Sequence, residues 1–131
     1  MKLNYSNNKK QAGLTLIEIT LVIAVLLGLI SVLFIGVSAY KEGSDRAKCI
    51  LNISNVQKAV RSYQNLYEKE VGNDLALATI AGTGKMLETV PACPSGGAYT
   101  TADVVPAVGT PYLSCSLAGD NEHVPSSVTG W

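Results

Sequence analysis

Charged side chains are almost missing from residues 14–40, where Glu18 is the single one. Residues 1–13 lack acidic side chains altogether. Their charged residues are Lys2, Lys9 and Lys10. Downstream of residue 40, Lys, Arg, Asp and Glu return at an ordinary surface frequency. The two parts of the chain suit different solvents, so the formal net charge of zero describes neither of them.

An excess of positive charge is also missing once residues 1–13 are set aside. Seven Lys and Arg then remain against ten Asp and Glu, which gives a formal charge of −3. A chain with this balance offers no electrostatic footprint for nucleic-acid phosphates. It also has no basic patch for anionic lipid outside residues 1–13. We therefore predict no nucleic acid as a partner.

Recognisable catalytic and metal-binding motifs are absent. His123, the only histidine, belongs to no nucleophile motif, so we expect a satisfied or solvated side chain. Gly82-Thr83-Gly84-Lys85 lacks the full P-loop pattern. Asp120-Asn121-Glu122 offers oxygen ligands in a row, but consecutive residues rarely point at one ion and the EF-hand spacing is missing. No cysteine pair has the CxxC spacing of a zinc knuckle. We predict no enzyme, no cofactor and no metal site.

The three cysteines, Cys49, Cys93 and Cys115, allow three single pairings and always leave one thiol over. Disulfides form and persist in small domains outside the cytoplasm. We predict the pair Cys93–Cys115, because both lie in a turn-rich tail that gains most from a cross-link. Cys49 is most simply a buried small hydrophobe, with a disulfide as the alternative.

The apolar stretch of residues 14–40 is 27 residues long, and about 20 apolar residues in a helix cross a bilayer core. Lys9 and Lys10 precede it and favour a cytoplasmic N-terminus, which places the rest of the chain outside. One alternative is a secretory signal peptide cleaved near Val37-Ser38-Ala39, but apolar cores of such peptides run about 7–15 residues. Another is a plain signal anchor, which leaves Glu18 unexplained.

A carboxylate inside a membrane segment costs roughly 2.5–3.5 kcal/mol near its centre and indicates a function and a partner. Glu18 has no cationic neighbour three or four residues away in its own helix. Cleavage after Gly13 would create a positively charged α-amino group at Leu14. We expect the Leu14 amine of a neighbouring copy, rather than of the same chain, to pair with Glu18 and set the register between subunits.

The segment Lys9-Lys10-Gln11-Ala12-Gly13, followed by Leu14-Thr15-Leu16-Ile17-Glu18, resembles the processing site of type IV prepilins. The resemblance implies that a prepilin peptidase cuts after Gly13 and methylates Leu14. It also implies a subunit held in the bacterial inner membrane that assembly machinery adds to a helical filament of identical copies. The filament is either a surface pilus or the periplasmic pseudopilus of a type II secretion system. A membrane-anchored extracytoplasmic binding module is the alternative from another class.

The chain departs from the resemblance at two places. Leu14 occupies a position where Phe is more usual, and many pilins have a proline near Ile35, where the helix loosens during assembly. Gly28 and Gly36 are weak helix formers, each about 1 kcal/mol worse than Ala. They would permit either local melting or close helix packing.

Helical periodicity continues through residues 41–72, and no proline interrupts residues 14–72. One apolar stripe is predicted there at spacings of three and four. It consists of Cys49, Ile53, Val56, Val60, Tyr63, Tyr67 and Val71. Gly72-Asn73 is the predicted stop of the helix.

Residues 73–131 are rich in Gly, Pro, Ser and Thr and would hardly fold alone. We predict a loop over Asp74–Leu87 with a helical turn around Met86. Short strands are predicted at Ala98–Thr101 and Thr110–Cys115, with a turn near Gly109. The predicted fold is α+β: a leader (1–13), a transmembrane helix half (14–40), an amphipathic half (41–72) and a small antiparallel head (73–131).

Overall fold

A computed structural model of the chain describes Gly13 and residues 15–131. In chain order, its elements are α1 (Leu16–Leu66), α2 (Leu77–Ile80), β1 (Tyr99–Thr101) and β2 (Leu113–Cys115). The two strands form one antiparallel sheet, in which Tyr99 pairs with Cys115. The chain divides into one unit up to Ser38 and another from Ala39 to Trp131. One long helix with a small antiparallel sheet is the α+β layout that the sequence predicts.

Helix α1 begins with a side-chain cap. The Glu18 N–H donates to the Thr15 hydroxyl oxygen at 3.3 Å, so Thr15 satisfies one of the free donors of the first turn. Further along, the hydroxyls of Thr20 and Ser31 donate to main-chain carbonyls one turn earlier, both at 2.8 Å. These bonds leave neither hydroxyl unpaired in an apolar surrounding.

Helix α1 ends at Leu66, six residues before the predicted stop at Gly72, so that boundary is wrong. Glu68 adopts the left-handed conformation (φ 51°), and the Lys69 N–H donates to the Gln64 carbonyl at 2.9 Å. This bond across six residues is the one that closes a helix in the Schellman motif, here without glycine. Sequence rules look for glycine at this position and therefore pass over Glu68.

The predicted apolar stripe is confirmed over its first four members, Cys49, Ile53, Val56 and Val60, each at most 1% exposed. Partners from the later segments complete the core: Leu75, Ile80, Val105, Tyr112 and Leu113. Tyr63 packs half-buried at its edge. Tyr67 and Val71 are 57% and 54% exposed, because they follow the last helical residue and the helical spacing no longer places them on the stripe.

The segment before the sheet differs from the prediction. The short helical turn is α2, at Leu77–Ile80, and the helical turn expected around Met86 is absent from this described segment. Instead, the Gly82 N–H donates to the Leu87 carbonyl at 2.7 Å and closes a loop over the intervening residues. Gly82 and Gly84 both have positive φ, which breaks a helix there.

Both predicted strands are present but shorter. Strand β2 starts at Leu113 because Pro111 has no N–H and the Tyr112 N–H is used elsewhere, donating to Gln57. The predicted turn lies at Gly109, with φ 83°.

Three polar side chains of α1 hold the later segments of the second unit. Asn52 donates to the Ala92 carbonyl at 3.0 Å. Gln57 bonds main-chain atoms on both sides of Pro111. Arg61 donates to three main-chain oxygens, those of Pro106, Ala107 and Trp131, at 2.8, 3.1 and 2.9 Å. These bonds position loops that have too little regular structure to satisfy their own carbonyls.

Candidate functional site

The apolar part of α1 has no cover within the described chain. None of the side chains in its most apolar 18-residue window is buried, and Phe34, for example, is 73% exposed. Of the described helices, α1 alone is long and apolar enough to cross a membrane. Such a surface is stable only against lipid tails or other apolar helices.

Glu18 lies in the first turn of α1 and is exposed. Among the described residues, no cation lies within ion-pair distance of its carboxylate. With Thr15 as the N-cap, Glu18 occupies the third helical position, where an acid complements the helix dipole. The Glu18 carboxylate therefore stabilises the start of its own helix through the dipole, besides any role toward a partner.

The predicted processing site is only partly described. Gly13 is exposed, as a cleavage site must be. Leu14, the predicted first mature and methylated residue, and residues 1–12 of the predicted leader lie outside the described residues. The expected pairing of Glu18 with the amine of a neighbouring Leu14 stays a prediction.

Helix α1 is continuous through Ile35, the place where many pilins have a proline. A Cβ added to Gly28 or Gly36 would meet nothing within 4 Å. Both glycines therefore present open, flat surfaces on a regular helix, as close packing of another helix requires.

A second candidate site lies in the unit Ala39–Trp131. Cys49 projects from α1, Cys93 from the loop before β1, Cys115 from the end of β2 and His123 from the loop after it. All four side chains are buried. Their ligand atoms lie within 4.8 Å of one another, which makes them the one group of potential metal ligands of this kind among the described residues.

The predicted Cys93–Cys115 disulfide is not formed, since all three cysteines are free thiols. The two sulfurs lie 3.9 Å apart, whereas a disulfide bond is about 2.05 Å long. The sequence pattern thus identified two sulfurs that are neighbours. It missed that Cys49, fully buried as predicted, is the third member of the same cluster.

His123 is neither solvated nor fully satisfied, so the sequence expectation for this residue is wrong. The side chain has no exposed surface, and its Nδ1 lies 3.5 Å from the Cys93 Sγ. Its Nε2 is buried without a hydrogen-bond partner among the described residues. Leaving a polar atom unpaired in this way costs about 1–3 kcal/mol, so an isolated imidazole is poorly suited to this position.

The cluster has its own electrostatics. Burial raises the pKa of Cys49 to about 12, against an opposing hydrogen bond donated by the Tyr99 hydroxyl at 3.3 Å. Burial acts in the same direction on Cys93, but the N–H groups of Ser95 and Gly97 and the neighbouring thiols outweigh it and hold the pKa of Cys93 below its usual value. The loop after Cys93 therefore directs donors at a sulfur that can carry negative charge.

Gly97 packs directly against this cluster. A Cβ at position 97 would lie 2.8 Å from the Cys115 Sγ. Glycine is therefore needed for the loop to approach the sulfurs. The local sequence signal was the turn composition Cys93-Pro94-Ser95-Gly96-Gly97, in which Gly96 has φ 79°.

In the oxygen-rich triplet Asp120-Asn121-Glu122, the Glu122 carboxylate forms an exposed ion pair with Arg46 of α1 at 2.7 Å. Because both side chains are exposed, this ion pair contributes little to the position of the loop that carries His123.

No protein-family model, curated protein or solved structure matches the chain. Function is therefore inferred from the residues of the chain itself: the basic and apolar N-terminal pattern, Glu18 and the geometry of the unit Ala39–Trp131, named the outer unit from here on.

Proposed function

We propose that the chain is a structural subunit of a type IV pilin-like filament, cleaved after Gly13 and assembled through the apolar part of α1. The observation that carries the proposal is the combination of a continuous apolar helix, which no other described residue covers, and one acid, Glu18, in its first turn. The adjoining sequence Lys9-Lys10-Gln11-Ala12-Gly13 supports processing at this point.

In the proposed assembly, the subunit waits in the inner membrane with its N-terminus in the cytoplasm and residues 39–131 outside. Lipid covers the apolar part of α1 at this stage. On extraction into the filament, the same surface packs against copies of itself. Once the subunits have left the membrane, separating their helices would expose them to water at a cost of about 1.5–3 kcal/mol for each large apolar side chain, and this cost keeps the filament cohesive.

Glu18 supplies the register. Apolar surfaces slide past one another at little cost because the hydrophobic effect has no preferred direction. A charged carboxylate in this surrounding is stable only when its counter-charge lies at hydrogen-bond distance. The amine of a processed Leu14 on an adjacent copy provides that charge and selects one axial offset. The role is structural, and no catalytic step is required of this chain.

Substitutions at Thr15 and Glu18 separate the two roles of the acid. Glu18→Gln removes the charge but keeps a residue suited to the third position of a capped helix. Thr15→Ala removes the cap hydroxyl and keeps the charge. We expect Glu18→Gln to abolish recovery of the subunit in sheared filaments while the processed protein accumulates in the membrane. Thr15→Ala should still assemble.

Both variants would be expressed in a cell that has the prepilin peptidase and the assembly machinery, with the membrane fraction as the loading control. Normal filament yield from Glu18→Gln would contradict the proposed register contact. If Glu18→Gln and a cleavage-resistant Gly13 variant both kept the cellular phenotype of the native chain, this result would instead favour an anchored binding module.

A further inference from the structure

We propose that Cys49, Cys93, Cys115 and His123 form a tetrahedral zinc site in the unit Ala39–Trp131. This site goes beyond the proposed filament role, which neither requires nor implies a metal. Three thiols and one imidazole are a ligand set that zinc takes in structural sites.

Two of the distances within the cluster match the edges of a zinc-ligand tetrahedron. Zinc bonds of about 2.3 Å to sulfur and about 2.0–2.1 Å to nitrogen give edges of about 3.8 Å between two sulfurs and about 3.6 Å between sulfur and nitrogen. The Cys93 and Cys115 sulfurs are 3.9 Å apart, and the Cys93 Sγ is 3.5 Å from the His123 Nδ1. Cys49 closes the group, with all ligand atoms within 4.8 Å of one another.

His123 is a second, independent indication of a ligand. Its side chain is completely buried, it contacts a sulfur through one ring nitrogen, and its other ring nitrogen has no partner among the described residues. Hydrogen bonding among the described residues does not account for a buried histidine here. Coordination of a metal through Nδ1 accounts for the position of the ring against the sulfurs and leaves the ring proton on Nε2.

The surroundings supply further contacts of the kind that support metal ligands. The Tyr99 hydroxyl, which accepts a hydrogen bond from Asn52 at 3.2 Å, donates toward the Cys49 Sγ. Such donors orient thiolate ligands and reduce their excess negative charge.

Zinc binding also accounts for three sulfurs that are buried close together. Each thiol gives up its proton to the solvent when it binds, and the ion supplies the counter-charge that the apolar surroundings lack. A soft ligand set of this composition disfavours magnesium and calcium, which take oxygen ligands. The ion would connect α1, the loop before β1, strand β2 and the loop after it, in a unit with only two three-residue strands.

The competing state is a disulfide, which an oxidising compartment favours. It would use two sulfurs, move them together by almost 2 Å and leave His123 without a role. The two states are chemically distinct and separable by experiment.

The test uses the full chain, isolated from membranes in detergent without added reductant and with alkylation of free thiols during lysis. We expect about one zinc ion per chain by elemental mass spectrometry. The three thiols should resist alkylation until a chelator is added. Exchange with Co²⁺ should give the intense visible bands of a tetrahedral site together with a thiolate charge-transfer band.

Cys49→Ser, Cys93→Ser, Cys115→Ser and His123→Gln should each lose the cobalt spectrum of the four-ligand site. Glu122→Gln is the matched control, because Glu122 precedes His123, is exposed and bonds to Arg46; this variant should keep the zinc.

Isolation of the native chain without metal and with an intact disulfide would overturn the proposal. Three freely alkylated thiols in a folded chain that gives no cobalt spectrum would do so as well. Both of these results are obtained with the native chain, so they do not require that a variant folds. Neither result affects the proposal of filament assembly.

Discussion

The side chain of Gln57 replaces a missing strand partner for Tyr112. Its Oε1 accepts the Tyr112 N–H at 2.8 Å, and its Nε2 donates to the Thr110 carbonyl at 3.2 Å. Gln57 is 3% exposed and Tyr112 is 1% exposed. One amide on α1 therefore satisfies the main chain on both sides of Pro111, which cannot donate to a sheet.

We predict that Gln57→Ala lowers the free energy of unfolding of the outer unit by about 2–3 kcal/mol, because it leaves a buried N–H without a partner. Denaturant unfolding of the full chain in detergent, followed by the fluorescence of Trp131, would measure the change. Lys58→Ala is the control on the neighbouring exposed position and should shift the midpoint little. Equal stability of the two variants would show that Gln57 does not carry this contact.

We predict that Glu68→Gly stabilises the end of α1. Glu68 has φ 51°, a conformation that costs a residue with a Cβ about 1–2 kcal/mol and glycine almost nothing. The added freedom of glycine in the unfolded chain offsets part of this gain, which leaves about 0.5–1 kcal/mol. The measurement is the same denaturation curve. Glu70→Gly is the control: it is exposed with ordinary φ, and the substitution should destabilise rather than stabilise.

Local sequence was enough to predict helix α1 but not the cluster of Cys49, Cys93, Cys115 and His123. Helix α1 follows from the apolar run, the absence of proline and the stripe through Cys49 and Ile53, all of which act within a few turns. Its end at Leu66 was missed, because the residue in the left-handed conformation is Glu68, whereas the sequence rule looks for glycine. Both strands were predicted, but with too many residues. For β2 the reason is that the Tyr112 N–H donates to Gln57 and not to the neighbouring strand.

The metal-ligand geometry required tertiary information. The sequence lacks the CxxC spacing that is typical of zinc ligands carried on one short loop, and for this reason we predicted no zinc site. In the folded chain, the four ligands come from four separate segments, and only the packing of the head on α1 brings them together. The turn residues Pro94, Gly96 and Gly97 follow Cys93 directly, but turn composition alone does not indicate that the cysteine lies near His123.

We predict that Gly97→Ala destabilises the outer unit by about 1–3 kcal/mol, as overpacking of a close contact does. The added Cβ would meet the Cys115 Sγ at 2.8 Å and Leu117 at 3.1 Å. Gly119→Ala is the matched control in the same region, because a Cβ there meets nothing within 4 Å. Thermal unfolding of both variants would test the contact, and an unchanged Tm for Gly97→Ala would exclude it.

The stability of the outer unit should fall at alkaline pH, in part through Tyr112. Its hydroxyl donates to the Leu75 carbonyl at 2.6 Å, and burial together with the charge of Asp103 raises the pKa of Tyr112 to about 12. The unfolded chain loses this proton near pH 10, so from about pH 10 to 12 it binds fewer protons than the folded chain. The free energy of unfolding therefore decreases as pH rises through this window.

Tyr112→Phe cannot ionise and should escape this part of the loss. We expect the variant to be less stable than the native chain near pH 9, because the Leu75 carbonyl loses its donor. The gap should narrow between about pH 10 and 12. Denaturation curves at several pH values would show the convergence. A constant gap over this range would mean that Tyr112 titrates normally in the folded chain.

The proposed filament assembly requires a new N-terminus at Leu14, whose amine pairs with Glu18 of an adjacent copy. Intact-mass and N-terminal peptide mass spectrometry of the subunit in sheared filaments measures that terminus directly. We predict that the chain begins at Leu14 and carries an N-methyl group. A filament subunit that still begins at Met1, or one cut near Ala39 as a secreted protein would be, would contradict the account.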